Sequence, residues 1–268
     1  MRLFRELLEP GQGAVINMDG ARSDDALSCA SECGLNCITV GRKGATLKLI
    51  EARHEGFVQF LKIESAGKTY DVKLPLVGAY QVENALVAVG MAMALGCDTG
   101  AAVGALSQLT GVKGRLEIVG EARGGLAIVD YAHKPEALQA ALSAVRPFVS
   151  GRLILVFGCG GDRDRGKRAI MGAIAEQMCD VVIVTDDNPR GEDAASIRRE
   201  ILGATPKAQE IGSRRDAILE AVSLMGAGDV VVVAGKGHET GQIVGDVVMP
   251  FSDHEELSSA LATLNQEA

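Results

Sequence analysis

The chain opens with Leu3, Phe4, Leu7 and Leu8 at helical spacing, and the pattern stops at Pro10-Gly11. An apolar run at 14–17, a helical pattern over 23–34 closed by Gly34, and a second apolar run at 37–41 follow, which is a β-α-β rhythm. From about 45 to 74 the period changes to two, with apolar alternation at 46–49, 57–63 and 69–74 and turns at Gly56 and Ala66-Gly67. That spacing predicts three antiparallel strands. An Ala-rich helix is expected over 82–95 and a weaker one over 99–109, before a break at 111–114.

After that break the rhythm restarts. Short apolar runs at 126–129, 153–157, 181–184 and 230–233 alternate with helical patterns at 135–148, 167–178, 194–202, 216–225 and 254–264. Short, wholly apolar strands between helices predict a mostly parallel, Rossmann-like sheet covered on both faces. The 268 residues exceed one domain at about 150 residues each. The expectation is an α/β chain of two domains, 1–112 with an antiparallel β segment and 113–268 with the parallel sheet.

Charge narrows the partners: 27 basic residues against 35 acidic ones leave a net −8, which speaks against a clamp for nucleic acid. No run approaches the roughly 18 apolar residues of a membrane span, and the opening MRLFRELLEPG lacks a signal-peptide core. A cytoplasmic monomer is expected. Six cysteines are too few for a disulfide framework, so they read as reduced thiols. Cys29, Cys33 and Cys37 recur every four residues with no His or fourth Cys beside them, as small core residues do, and no metal site is expected.

Four polar motifs begin where strands stop: Asp130-Tyr-Ala-His133, Gly160-Gly-Asp-Arg163, Asp186-Asp-Asn-Pro-Arg190 and Gly235-Lys-Gly-His-Glu239. Ligands of open parallel sheets bind outside the carboxyl ends of the strands, so the four motifs are expected to share one edge. Arg163 and Arg190 carry forks suited to carboxylate or phosphate, while Asp187, Asn188 and Glu239 can receive ammonium protons. Together they suit a small zwitterion. The stretch from Gly161 to Arg168 falls short of a phosphate-binding loop, because Arg168 stands where a Ser or Thr would hold magnesium. The run Gly158-Cys-Gly-Gly161 also fails as a dinucleotide fingerprint, since residue 163 is Arg. His133 and His238 at strand ends fit hydrogen bonding or ligand contact better than metal ligation, and His54 and His254 read as solvated. There is no nucleophile elbow.

The segments Val129 to Glu136, Phe157 to Arg168, Thr185 to Arg190 and Gly235 to Thr240, with Gly114-Arg-Leu-Glu117, Asn84-Ala-Leu and Ala14-Val-Ile-Asn17, resemble the Mur ligases along essentially the whole chain. Among these, the motifs look most like the members that add meso-diaminopimelate to UDP-MurNAc-L-Ala-D-Glu in peptidoglycan precursor synthesis. The resemblance implies an ATP-dependent amide ligase working through an acyl phosphate, with ATP and Mg2+ as cofactors. It implies nucleotide contacts from Asn84, Arg115, Asp130 and His133. It implies diaminopimelate contacts from Arg163, Asn188, Arg190, Gly235 and Glu239, to which the reading of the residues adds Asp187. Asn188 within Asp-Asn-Pro-Arg favours diaminopimelate over lysine.

The family's phosphate loop, magnesium-binding Glu and His, and modified lysine precede the point that matches Met1. By the resemblance, 1–112 corresponds to part of the central ATP-binding domain and 113–268 to the carboxyl-terminal domain. No catalytic set is complete, and these residues alone are expected to be inactive, with a loosely folded first half. Two other readings compete. One is a non-catalytic module or subunit that binds diaminopimelate. The other is a folylpolyglutamate synthase-like ligase, which departs at Asp-x-Ala-His-Asn-Pro where this chain has Asp130-Tyr-Ala-His-Lys-Pro135.

Overall fold

The computed structural model describes residues 1–55 and 57–266, so the turn expected at Gly56 lies outside the described residues. The chain divides into two compact units, Met1–Thr110 and Gly111–Ala268.

The first unit opens with a helical turn, Leu3–Leu7, followed by β1 (Gly13–Asn17), α1 (Ser23–Glu32) and β2 (Asn36–Gly41). Three strands follow, β3 (Leu47–Glu55), β4 (Val58–Ser65) and β5 (Lys68–Leu74), then α2 (Ala79–Ala94), α3 (Thr99–Ala105) and a final turn, Leu106–Gln108. The five strands form one sheet in sequence order, parallel from β1 to β3 and antiparallel from β3 to β5. Strand alternation sorts the core. Ala14 and Ile16 of β1 pack with Ala30 of α1 on one face, and Val15 packs toward the opposite cluster, built on Val82, Ala85, Leu86 and Val89 of α2. Cys29 is buried and Cys33 and Cys37 pack against the first of these clusters. All six cysteines are free thiols.

The second unit begins with the antiparallel pair β6 (Glu117–Ala122) and β7 (Gly125–Asp130), joined through Arg123 and Gly124 at φ 49° and 76°. Two positive φ values are what a tight two-residue hairpin demands. The chain continues through α4 (Pro135–Val145), a turn at Arg146–Phe148, β8 (Leu153–Phe157), α5 (Gly166–Met178), β9 (Val181–Val184) and α6 (Ala194–Leu202). It ends with β10 (Gln209–Glu210), α7 (Arg214–Ser223), β11 (Val230–Ala234), the hairpin β12 (Gly241–Val244) and β13 (Val247–Pro250), and α8 (Asp253–Gln266).

The main sheet runs β10-β9-β8-β11-β7-β6, parallel except for β6. Its central strands are buried on both sides, which is why they read as unbroken apolar runs. On one face Val129, Ile154, Val156, Val231 and Val233 pack with Ile218 and Val222 of α7 and Leu257 and Leu261 of α8. Helices α4, α5 and α6 lie side by side in a second layer. Among the described residues no helix is long and apolar enough to cross a membrane.

Four strands, β6, β10, β12 and β13, were not expected from the sequence. Strand β6 is broken by a bulge between Ile118 and Gly120, which spoils its alternation. Strand β10 has two residues, too few to carry a period. The hairpin β12-β13 stands outside every core, so burial imposes no pattern on it.

Ile154 is fully buried at the centre of the sheet. Replacing Ile154 by Ala should lower unfolding free energy by about 2–5 kcal/mol in chemical denaturation of the chain.

Candidate functional site

The sheet registers fix where the polar motifs begin. Asp130 pairs with Ala234, Ala234 with Phe157, and Phe157 with Val184, so β7, β11, β8 and β9 all end in one row. The loops that leave this row enclose a cleft of about 810 Å³. It is lined by His133, Arg163, Asp187, Asn188, Arg190, Gly235 and Glu239, together with Tyr131, Lys134, Glu136, Gly160, Asp164, Lys167 and Ile170. All of these residues belong to the second unit.

Two loops meet backbone to backbone. A Cβ on Gly158 would lie 2.2 Å from the Thr185 carbonyl oxygen, and one on Gly161 would lie 1.9 Å from that of Pro189. Only glycine permits this approach, which the Gly161 N–H seals by donating to Asn188 O at 2.9 Å. Arg190 sits at φ 51°, and its Nη1 donates to Gly161 O at 3.0 Å. One corner of its guanidinium is thereby anchored beside the cleft.

Arg163 is exposed, with Nη1 donating to Asp162 O at 3.0 Å. Its loop is held from below by Glu192, whose carboxylate accepts from Asp162 N at 2.6 Å, from Arg165 Nη2 at 2.8 Å and from the fully buried Arg168 at 2.9 and 3.1 Å. These donors hold the Glu192 carboxyl down at about 2, chiefly through Arg168.

Two of the carboxylates, Asp187 and Glu239, come from the loops after β9 and β11. Asp187 is buried beside Gly235, where φ is +120° and a Cβ would meet Asp187 Oδ2 at 2.9 Å. Lys236 is fully buried. Its Nζ donates to Asn188 Oδ1 at 2.7 Å and Gly241 O at 2.8 Å, and lies 3.5 Å from Glu239 Oε2 and 3.7 Å from Asp187 Oδ1. Burial pulls its ammonium below the ordinary lysine value, and the Asp187 carboxylate opposes that. Behind them Arg214, fully buried, donates to Asp253 at 2.6 and 2.7 Å and to Ala234 O at 2.9 Å.

This network occupies the oxygen with which Asn188 was expected to receive a ligand's ammonium protons. Its oxygen already accepts from Lys236 and from Ile243 N at 2.9 Å, while its Nδ2 donates to Glu239 Oε2 at 3.0 Å. Lysine and backbone N–H groups only donate and a carboxylate accepts, so the amide has one consistent orientation. Asn188 is a donor toward Glu239, and Asp187 and Glu239 remain as the acceptors.

A second group surrounds Tyr131. The Arg115 guanidinium lies 4.9 Å from the ring centroid, and the His133 and His238 rings lie 4.6 and 5.1 Å away. His133 Nδ1 is 2.9 Å from Tyr131 O, a carbonyl that only accepts, so that nitrogen donates. Asp130 is buried and accepts from Leu116 N at 2.7 Å and Ala132 N at 2.8 Å; burial raises its carboxyl, and the two amides oppose the shift. Neither Asp130 nor Arg115 lines the cleft, although both adjoin Tyr131, which does. Asn84 belongs to the first unit, exposed on α2, with Nδ2 3.4 Å from Gln81 Oε1. His254, expected as a solvated surface residue, is half-buried, with its Nδ1 3.0 Å from Glu117 Oε1. Among the described residues no three His, Cys, Asp or Glu side chains converge to hold a cation, so the residues present do not fit a magnesium site of their own.

Lys236, Lys134, Lys167 and Glu136 had no role in the sequence reading. Lys236 carried a usable signal, because a lysine two residues past the end of an apolar central strand is buried only when it is paired. Arg214 and Asp253 carried none, lying 39 residues apart on separate helices.

The pH dependence follows from Glu192. Its ordinary value of 4.5 is depressed to about 2, so its stabilising contribution is complete above pH 4.5 and lost as pH falls through about 2. The melting-temperature gap between the wild type and Glu192→Gln should therefore be constant from pH 5 to 7 and close between about pH 4.5 and 2, as read in thermal melts.

Residues 114–237 match the family model described as the glutamate ligase domain of Mur ligases, and residues 1–92 match the Mur ligase middle domain. The UDP-N-acetylmuramoyl-L-alanyl-D-glutamate--2,6-diaminopimelate ligase of Agrobacterium fabrum is 55% identical over 265 residues, which is 98% of this chain and 54% of that protein. The ligase of the same name from Brucella melitensis biotype 1 is 53% identical over 268 residues, 100% of this chain and 55% of its own length. A solved structure of a protein with that name superposes with a TM-score of 0.76 at 34% identity, covering 96% of this chain and 54% of the other. The chain spans about half the length of the curated relatives it matches.

Proposed function

The chain belongs to the Mur ligase family, and from that premise we propose that its second unit receives the incoming amino acid, meso-diaminopimelate, in an ATP-dependent amide ligase that extends UDP-MurNAc-L-Ala-D-Glu. Residues 113–268 then form the carboxyl-terminal domain, and residues 1–112 part of the central ATP-binding domain.

The observation that carries this reading is the composition of the cleft wall. Four cationic side chains, Lys134, Arg163, Lys167 and Arg190, are balanced there by four carboxylates, Glu136, Asp164, Asp187 and Glu239. A ligand with two carboxylates and two ammonium groups finds a partner of opposite charge for every one of its groups on such a wall. Arg190 and the Asn188 amide offer donors to one carboxylate, and Arg163 offers its fork to the other. Glu239 and Asp187 accept from an ammonium. Lysine has one carboxylate fewer and would leave part of the donor set unpaired, which is costly in a half-enclosed site.

Arg115, His133 and Asp130 around Tyr131 are proposed for nucleotide contact, and Asn84 is proposed for it on the first unit taken by itself. When bound, ATP would supply the activation of the acceptor carboxylate. The task of this unit is to hold the attacking amine in place and to limit its contact with water. The names of the relatives and the agreement of their identities across nearly the whole chain support the same assignment.

Calorimetry of the chain with meso-diaminopimelate tests the proposal. Arg190→Lys keeps the charge but loses the planar fork, and it should weaken binding about tenfold to a hundredfold, since each factor of ten corresponds to about 1.4 kcal/mol. Equal affinity of wild type and variant, or no binding by the wild type, would count against the site.

A further inference from the structure

The amide of Asn188 could serve a ligand in either sense, as donor or as acceptor. Which sense the cleft meets is decided by a residue that does not line it. Both hydrogen-bonding directions at Oδ1 are taken, one by Lys236 Nζ at 2.7 Å and the other by Ile243 N at 2.9 Å. Nδ2 places one N–H on Glu239 Oε2 at 3.0 Å and keeps the second. Asn188 lines the cleft, and Lys236, at 0% exposure, lies behind it.

We propose that Lys236 is a positioning residue that makes Asn188 a donor toward the cleft, and so makes this end of the site select a carboxylate in place of an ammonium. The inference rests on the reading of the cleft as an amino-acid site and adds the residue that sets its polarity. A neutral side chain at 236 would remove the stronger of the two donors on Oδ1. Asn188 could then turn its oxygen outward, away from Glu239. The same ammonium also neutralises the nearby Asp187 and Glu239 and ties the base of the β12-β13 hairpin through Gly241 O. A purely structural role is therefore the competing account, and the test must separate the two.

The separating measurement is a double-mutant cycle on the full chain, read as meso-diaminopimelate affinity by calorimetry. Lys236→Met, of similar length and uncharged, should bind about tenfold or more weakly. If Lys236 acts through Asn188, the Lys236→Met/Asn188→Ala pair should be no worse than Asn188→Ala alone within about twofold. Multiplicative losses, or an unchanged affinity in Lys236→Met, would overturn the proposal.

A ligand-free readout covers the remaining cases. In 15N NMR spectra of the wild-type chain, the Lys236 ammonium protons should exchange slowly enough to be seen and should show cross-relaxation to the Ile243 N–H, since both donate to one oxygen. Where Lys236→Met folds, its Asn188 side-chain amide signals should move and lose exchange protection. A fast-exchanging ammonium in the wild type, or unmoved Asn188 signals in the variant, would refute the role of Lys236. Failure of the wild type to bind meso-diaminopimelate would instead count against the ligand assignment and leave the NMR result to decide the positioning role.

Discussion

The common level at which β7, β8, β9 and β11 end is the constraint on which the rest of the second unit depends. Parallel pairing holds Asp130, Ala234, Phe157 and Val184 in a single row, so each loop starts from the same height and heads the same way. Residues more than a hundred positions apart, such as Tyr131 and His238, are thereby brought together. The strands are held there by burial on both faces, with Val231, Ile154 and Val129 packed under α7 and α8. The cleft inherits its rigidity from this core, because its floor is the end of the sheet itself.

From that floor the loops are built by contacts that admit no slack. Gly158 and Gly161 bring the loop after β8 against the loop after β9 at distances no other residue allows. Glu192 fastens the Arg163 loop to the fully buried Arg168, and Lys236 fastens Asn188 to the hairpin base. Charges are thus buried in pairs and triples, with Arg168 Nε left without a hydrogen-bond partner. Such networks specify geometry more reliably than they add stability.

Much of this was legible in the sequence, for identifiable reasons. The four central strands announced themselves because two-sided burial requires unbroken apolar runs, and the polar motifs stood out because they interrupt those runs. The topology then placed Arg163, Asp187, Asn188, Arg190, Gly235 and Glu239 on one cleft. Local strand signals failed where the physics is weak: β6 loses its alternation to a bulge, and β12-β13 lies outside any core. The sense of the Asn188 amide could not be read, since it depends on Lys236 and Ile243, 48 and 55 residues away. Nor could the His254–Glu117 contact, which needs α8 to return beside β6.

The equal number of positive and negative groups around the cleft carries one more consequence. The chain as a whole bears −8, yet the residues that line the cleft carry as many positive as negative groups, and the doubly zwitterionic guest proposed for it has no net charge for a long-range field to pull on. Attraction therefore begins only at contact distance, well inside the roughly 8 Å Debye length of physiological saline. Ionic strength should then have little influence on capture, and discrimination rests on the geometry of individual contacts instead of on electrostatic steering.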